Sequence, residues 1–226
     1  MIPIVQTLKD SGYHCRIVPL RFGQALEPER VAENWVSSIA AAFGESATLV
    51  GEPRYCVAYS LGALVTLTFL QRAPEAFFDR LFLIAPPLVL TKPARLVNLL
   101  TPFHHLGWAL PSLAPEEIRA NSSTTLTDYK AMLILIRDLD TGSVSANIRR
   151  IDTKVILRAD DELVESKGVE DWVKKRGLDW DVLMLQSGPQ PKHLLLSEAR
   201  MGSDAWRTMT GTMLAHFASY STTHHQ

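Results

Sequence analysis

Strand-like and helix-like segments alternate along most of this chain, and this alternation is the strongest constraint on its fold. Short runs of aliphatic and β-branched residues are separated by segments whose apolar residues recur every three or four positions. Such a pattern is typical of an α/β protein, with a mostly parallel sheet and helices on both faces. The predicted strands are 13–18, 55–58, 81–85, 154–159 and 181–185, and the predicted helices are 2–9, 28–43, 61–71, 127–139, 165–175 and 204–218.

Length and composition are those of a globular protein. The 226 residues are 46% hydrophobic and 21% charged, which suits one large domain or a domain with an insertion. The charges nearly balance, with 23 Lys and Arg against 24 Asp and Glu. This balance argues against nucleic acid or an anionic membrane surface as the main partner. We therefore expect a small-molecule ligand or a protein partner. Separately, we expect a monomer, or a homodimer formed through an open edge of the sheet.

The apolar runs are too short to span a membrane. The longest ones, 61–70 and 81–90, fall well below the roughly 18–20 residues that a spanning helix needs. The N-terminus lacks the basic stretch and the small-residue cleavage site that a signal peptide has. Cys15 and Cys56 fit neither a disulfide framework nor a zinc site. The sequence thus predicts a cytoplasmic protein without an integral membrane segment.

The strand signal disappears between the predicted strands at 81–85 and 154–159. We interpret residues 88–150 as a small helical cap inserted into a core formed by residues 1–87 and 151–220, and residues 221–226 as a disordered tail. The apolar residues of the insertion serve either internal packing or the binding of a hydrophobic group. They include Leu96, Leu99, Leu100, Phe103, Leu106, Trp108, Leu110 and Leu113.

A predicted strand runs directly into a predicted helix at Ser60. So tight a turn strains the serine backbone and favours small residues two positions away, here Ala58 and Gly62. It lifts the hydroxyl above the sheet and leaves the N–H of Leu61 at a helix N-terminus, facing any developing negative charge. Ser60 is therefore a candidate nucleophile; the alternative is a serine that only caps a helix.

A nucleophilic serine needs a base, and the chain has seven histidines. His193 is the strongest candidate because it follows the last predicted strand, at the sheet edge where ligands collect. His104 and His105 belong to the insertion, where they either contact substrate or lie on the surface. The other four are better explained as structural or solvated: His14, His216, His224 and His225.

The base in turn needs an orienting carboxylate, and three acids follow the strand predicted at 154–159. They are Asp160, Asp161 and Glu162. Acids on a loop are often only solvated, but the chain order Ser, Asp, His is that of the α/β-hydrolase triad. Of the two aspartates, we favour Asp161.

At these residues the chain resembles the α/β-hydrolase superfamily, in particular carboxylesterases and monoacylglycerol-lipase-like or lysophospholipase-like members with a helical cap. The resemblance rests on Gly12-Tyr13 before a strand, on the Ala-Tyr-Ser-Leu-Gly run at 58–62, on Asp-Glu-Leu-Val at 161–164 and on His193. It implies an α/β-hydrolase fold and the following roles: Ser60 as nucleophile, His193 as base and then acid, Asp161 as the group that orients the imidazole, Leu61 as a backbone oxyanion donor, and Ala58, Tyr59 and Gly62 as the nucleophile elbow.

Two departures from the family pattern carry expectations for the structure. The chain has Arg21-Phe22-Gly23-Gln24 where relatives have Gly-His-Gly, a change expected to affect packing more than catalysis. Relatives also have three strands and a His-Gly loop with a second oxyanion donor before the helix that corresponds to residues 2–9. We therefore expect either a gap in the sheet or direct pairing of the strand at 13–18 with the nucleophile strand.

The resemblance implies a serine hydrolase that cleaves carboxylic esters with hydrophobic acyl or glyceride groups through an acyl-enzyme. This chemistry needs neither a metal nor a cofactor. One alternative is a thioesterase or acyltransferase, since the same triad serves any acyl carbonyl. The other is a truncated or degenerate relative with little activity that acts as a binding module.

Overall fold

A four-stranded parallel sheet organises the chain in the computed structural model, which describes residues 2–23, 27–46, 52–111, 123–186, 193 and 195–223. Its strands are β1 (Tyr55–Tyr59), β2 (Arg80–Ile84), β5 (Asp152–Arg158) and β6 (Asp181–Leu185), in the spatial order β1-β2-β5-β6. Two short strands, β3 (Ala109–Pro111) and β4 (Ser123–Thr125), form a separate antiparallel pair. The predicted mostly parallel sheet is confirmed.

Helices cover both faces of the parallel sheet. They are α1 (Ile2–Asp10), α2 (Pro28–Ser46), α3 (Leu61–Arg72), α4 (Lys92–Arg95), α5 (Leu126–Thr141), α6 (Ala146–Arg150), α7 (Ser166–Lys175), α8 (Glu198–Met201) and α9 (Ser203–Thr223), with 3₁₀ helices at Leu96–Leu99 and Thr101–Leu106. None of these described helices is both long and apolar enough to cross a membrane.

The central strand β2 shows how the two layers arise. Leu81 and Leu83 belong to one core, built with α2, α3, α5 and α7, whereas Phe82 and Ile84 belong to a second core, built with α1 and α9. All four side chains are at most 1% exposed. Because successive side chains of a strand point to opposite faces, a strand covered on both sides is apolar throughout.

The strand predicted at 13–18 does not form. A strand requires a hydrogen-bonded neighbour, and within the described ranges the sheet ends at β1 without this segment. Instead, the ring of Tyr13 packs edge-on against Tyr55 and Phe217, with 5.9 Å between ring centroids in each case. The prediction is therefore wrong, and neither the gap in the sheet nor the pairing of 13–18 with β1 occurs in the part of the chain that the structure describes.

The region 88–150 contains more regular structure than its sequence predicts. The β3–β4 pair is absent from the sequence-based prediction, since each strand has only three residues. The helix α5 begins with a capping box formed by Thr125 and Asp128. It buries Ala131, Leu135 and Leu139 in the same core as α2 and α3. Leu113 of the predicted insertion lies outside the described residues.

The last helix is longer than predicted. The sequence predicts its end at 218, yet α9 continues to Thr223, so that three residues of the predicted disordered tail are helical. No glycine or proline follows Gly211 to stop the helix. The remaining three residues of that tail, 224–226, lie outside the described residues.

A buried histidine lies at the end of the sheet where β2 begins. His216 of α9 is packed against Phe82 and Phe217, with ring centroids 6.3 and 5.7 Å away, and its Nε2 has no hydrogen-bond partner among the described residues. Burial, and then the charge of Arg80, lowers the pKa of His216 to about 4; Lys154 lowers it further, while a backbone bond at Leu81 and the charge of Asp181 act in the opposite direction.

This environment predicts a stability loss in weak acid. His216 binds a proton near pH 6.5 when unfolded but only near pH 4 when folded, so protonation favours the unfolded state between these values. We expect the part of the unfolding free energy due to His216 to be complete above pH 6.5 and to fall by about 1–2 kcal/mol by pH 4. Urea unfolding at pH 7.5 and 4.5 measures this change in unfolding free energy. Between these two pH values, His216→Phe is expected to lose less stability than the wild type. An equal loss would show that His216 is not the group responsible.

Candidate active site

Ser60 occupies the sharp turn between β1 and α3. Its backbone has φ 49° and ψ −122°, a conformation that residues other than glycine rarely adopt. The Ser60 N–H donates to the Ile84 carbonyl at 2.8 Å, which continues the β1–β2 pairing beyond the strand end. The strain and the position between strand and helix agree with the sequence prediction, and strain of this kind is concentrated at functional sites.

A second strained residue lies beside Ser60, just beyond the end of the neighbouring strand. Ala85 follows β2, has φ 47° and is fully buried. Its N–H donates to the Ile156 carbonyl at 2.9 Å. The chain therefore leaves the sheet with positive φ at two adjacent positions of the same edge.

The two small residues of the elbow differ in why they are small. Ala58 is buried in the core, where a larger side chain would have to displace its neighbours. At Gly62, an added Cβ would meet no atom within 4 Å in the described part of the chain. The predicted need for a small residue therefore does not follow from crowding at position 62.

His193 connects Ser60 with Asp161. Its Nε2 lies 2.8 Å from Ser60 Oγ, and its Nδ1 lies 2.8 Å from Asp161 Oδ2. The side chains of His193 and Asp161 are 8% and 1% exposed. The structure thus brings together the three residues predicted from the sequence, at distances suited to a proton relay.

The two aspartates of the loop after β5 are distinguished by their contacts. Asp161 Oδ1 accepts the N–H groups of Leu163 and Val164, both at 2.8 Å, which leaves Oδ2 for His193. Asp160 Oδ1 instead lies 3.2 Å from Nε of the buried Arg158. Of the two aspartates, Asp161 is therefore the one in contact with the histidine.

Two further side chains, those of Tyr59 and Glu162, bind the His193 backbone, and the sequence predicts neither contact. The Tyr59 hydroxyl donates to the His193 carbonyl at 2.9 Å, and the His193 N–H donates to Glu162 Oε2 at 3.1 Å. Burial, and to a lesser degree the charges of Asp161 and Glu162, raises the pKa of Tyr59, which keeps its hydroxyl protonated. The sequence gives one indication of these contacts, namely that Tyr59 is adjacent to Ser60 and Glu162 to Asp161.

The predicted oxyanion donor, the Leu61 N–H, lies at the start of α3. Leu61 is the first residue of this helix, where backbone N–H groups have no acceptor one turn earlier.

The Arg21–Gln24 segment is described up to Gly23. Phe22 packs on Trp35 with ring centroids 5.4 Å apart, and Gly23 N–H donates to Asp128 Oδ2 at 3.1 Å. Gln24 lies outside the described residues.

The remaining histidines lie elsewhere. His14 is exposed, His216 is buried in α9, and His104 and His105 pack against each other with ring centroids 5.9 Å apart. His224 and His225 lie outside the described residues. Among the residues that the structure describes, no three His, Cys, Asp or Glu side chains are grouped closely enough to hold a metal ion.

The segment predicted as the cap begins directly against the Asp161 loop. Thr91 N–H donates to the Leu163 carbonyl at 3.0 Å, and Thr91 Oγ1 donates to the Glu162 carbonyl at 2.8 Å. Beyond Thr91, several large apolar side chains are exposed, although the rings of Phe103 and Trp108 stack on each other. The exposed side chains are Leu96, Leu99, Leu100, Phe103, Leu106 and Trp108.

Comparison with known proteins gives a match in structure only. No family model and no curated protein matches the chain. A monoacylglycerol lipase from Paleococcus ferrophilus superposes with a TM-score of 0.59 at 12% identity, over 82% of this chain and 76% of that one. A soluble variant of the Saccharomyces cerevisiae monoglyceride lipase gives 0.64 at 10% identity, over 87% and 71%. One of the metagenome-derived lipolytic enzymes LipS and LipT gives 0.64 at 14% identity, over 95% and 86%.

At these identities the likeness bears on the fold alone. It covers most of this chain in each of the three superpositions. It also agrees with the parallel sheet and the helices on its two faces. The chain therefore has the α/β-hydrolase fold.

Proposed function

We propose that this protein is a serine hydrolase that cleaves carboxylic esters through an acyl-enzyme. The observation that carries the proposal is the hydrogen-bonded series from Ser60 Oγ through His193 to Asp161, with 2.8 Å at each step. A serine hydroxyl becomes nucleophilic when a neighbouring base accepts its proton, and the base works best when a third group fixes its tautomer.

The residues then act in the following order. Ser60 Oγ attacks the ester carbonyl while His193 Nε2 takes its proton, and the Leu61 N–H donates to the oxyanion that forms. His193 next gives the proton to the departing alcohol. A water molecule, activated by the same nitrogen, releases the acid and restores Ser60. Throughout, Asp161 Oδ2 accepts the Nδ1 proton and stabilises the charged imidazole.

The substrates we propose are esters with a hydrophobic acyl or glyceride group. The exposed apolar side chains of 96–108 support this choice, because they follow closely on Thr91, which contacts the loop that carries Asp161. We propose residues 88–150 as the cap that receives such a group. The fold is also that of a monoacylglycerol lipase and a monoglyceride lipase, although their activities are properties of those proteins.

Active-site labelling tests the proposal. A fluorophosphonate is expected to modify Ser60 covalently, and the protein is expected to hydrolyse p-nitrophenyl esters of fatty acids. Ser60→Ala is expected to abolish both, whereas Ser37→Ala, which changes an exposed serine of α2, keeps both. Folded, monodisperse protein that is neither labelled nor active would contradict the proposal and favour a binding role.

A further inference from the structure

The backbone of His193 is bound by side chains from two distant parts of the chain. Its N–H donates to Glu162 Oε2 at 3.1 Å, and its carbonyl accepts the Tyr59 hydroxyl at 2.9 Å. The same carbonyl accepts the N–H of Leu195 at 3.0 Å, which is a bond within its own turn. The two side-chain bonds therefore connect the His193 backbone to the edge of the sheet.

These two side chains belong to the sequence neighbours of the other triad residues. Tyr59 precedes Ser60 at the end of β1, and Glu162 follows Asp161 in the loop after β5. Each of these pairs makes one bond to the imidazole ring and one to the backbone of His193. His193 is thereby held twice by the Tyr59–Ser60 pair and twice by the Asp161–Glu162 pair, and these bonds fix the position of its ring.

The chemistry of both bonds suits a permanent attachment. The Tyr59 hydroxyl is protonated and so is a donor, as a carbonyl oxygen requires. Glu162 Oε2 is an acceptor, as the His193 N–H requires, and hydrogen bonds to carboxylate oxygens are about twice as strong as those between neutral groups. Glu162 is itself held through its carbonyl, which accepts Thr91 Oγ1 at 2.8 Å.

We propose that Tyr59 and Glu162 are positioning residues, which hold the His193 backbone so that Nε2 stays within hydrogen-bond distance of Ser60 Oγ. This inference rests on the proposed function, in which that nitrogen takes the serine proton. A shift of about 1 Å at a reacting group costs on the order of 100-fold in rate. Loosening the attachment is thus expected to lower kcat and to leave KM nearly unchanged.

Conservative variants separate the attachment from general packing. Tyr59→Phe removes one oxygen and keeps the ring, and Glu162→Ala removes the acceptor. We expect each to lower kcat about 10-fold and the double variant about 100-fold. Glu162→Gln keeps an oxygen acceptor and is expected to recover most of the loss. Tyr55→Phe, on the same strand with its ring stacked on Phe217, is the matched control and is expected to keep the wild-type kcat.

A second measurement does not depend on turnover. The proton between His193 Nδ1 and Asp161 gives a low-field signal in proton NMR when it is shielded from exchange, and His193→Gln assigns that signal. We expect the signal to broaden or disappear in Tyr59→Phe and in Glu162→Ala, because a loosely held imidazole exchanges its proton faster. Tyr55→Phe is expected to retain it.

The outcomes distinguish the two proposals. If fluorophosphonate labels wild-type Ser60 but Tyr59→Phe and Glu162→Ala keep both the wild-type kcat and the wild-type signal, the positioning role is overturned and the hydrolase stands. If the wild-type protein is not labelled, the proposed hydrolase fails and the NMR signal decides alone. Loss of the NMR signal in the two variants then supports the proposal that Tyr59 and Glu162 position His193. An unchanged signal overturns that proposal.

Discussion

His193→Ala is expected to lower kcat for p-nitrophenyl ester hydrolysis by about 10⁴–10⁶-fold. In the described structure His193 is the histidine within hydrogen-bond distance of Ser60 Oγ, and its loss leaves the serine with its ordinary, weakly nucleophilic hydroxyl. Steady-state kinetics at saturating substrate measures the loss directly. Because binding of the ester does not need the imidazole, KM is expected to change far less.

A double variant tests whether the residues act as one unit. Ser60→Ala combined with His193→Ala is expected to be no slower than Ser60→Ala alone, since removing the base adds nothing once the nucleophile is gone. His14→Ala serves as the control, because His14 is exposed. A His193→Ala variant with wild-type turnover would rule out His193 as the base.

Asp161→Asn is expected to reduce kcat by about 10⁴-fold with little change in the fold. Asp161 Oδ1 accepts two backbone N–H groups, so the single oxygen of an asparagine will take that position. The NH₂ group then faces His193 Nδ1 and donates to it. This forces the imidazole proton onto Nε2, and a protonated Nε2 can no longer accept the proton of Ser60.

Asp160→Asn is the matched control for this variant. Its carboxylate contacts Arg158 rather than the histidine, so we expect turnover close to wild type and a lower melting temperature, since a buried arginine loses charge compensation. Kinetics and thermal unfolding of both variants measure the difference. Equal losses of turnover in the two variants would show that Asp161 has no special role.

The sequence predicts best those elements that are buried on both faces. The apolar run of β2 and the all-round apolar α3 need no information from distant residues. The segment at 13–18 has the same local preference for a strand but forms none, because pairing depends on a neighbour that local preference does not reveal. The β3–β4 pair escapes prediction for the opposite reason, since three residues are too few to show alternation.

The site could be predicted because each triad residue follows the end of a strand. Parallel strands end at the same edge, so Ser60, Asp161 and His193 meet there although they are far apart in the chain. The contacts of Tyr59 and Glu162 could not be predicted in this way. They depend on which direction each side chain takes, and on the place of the His193 peptide, rather than on residue type or spacing.

The strained backbone of Ala85 limits the residues that can occupy the position beside Ser60. Asparagine and aspartate accept a positive φ most readily, but at this fully buried position their polar groups would lack water. Larger apolar side chains would add crowding to the backbone strain. Alanine and glycine are therefore the residues that best fit the fold at position 85. A neighbour of the serine turn that carries no functional group of its own is thus restricted by its own backbone conformation.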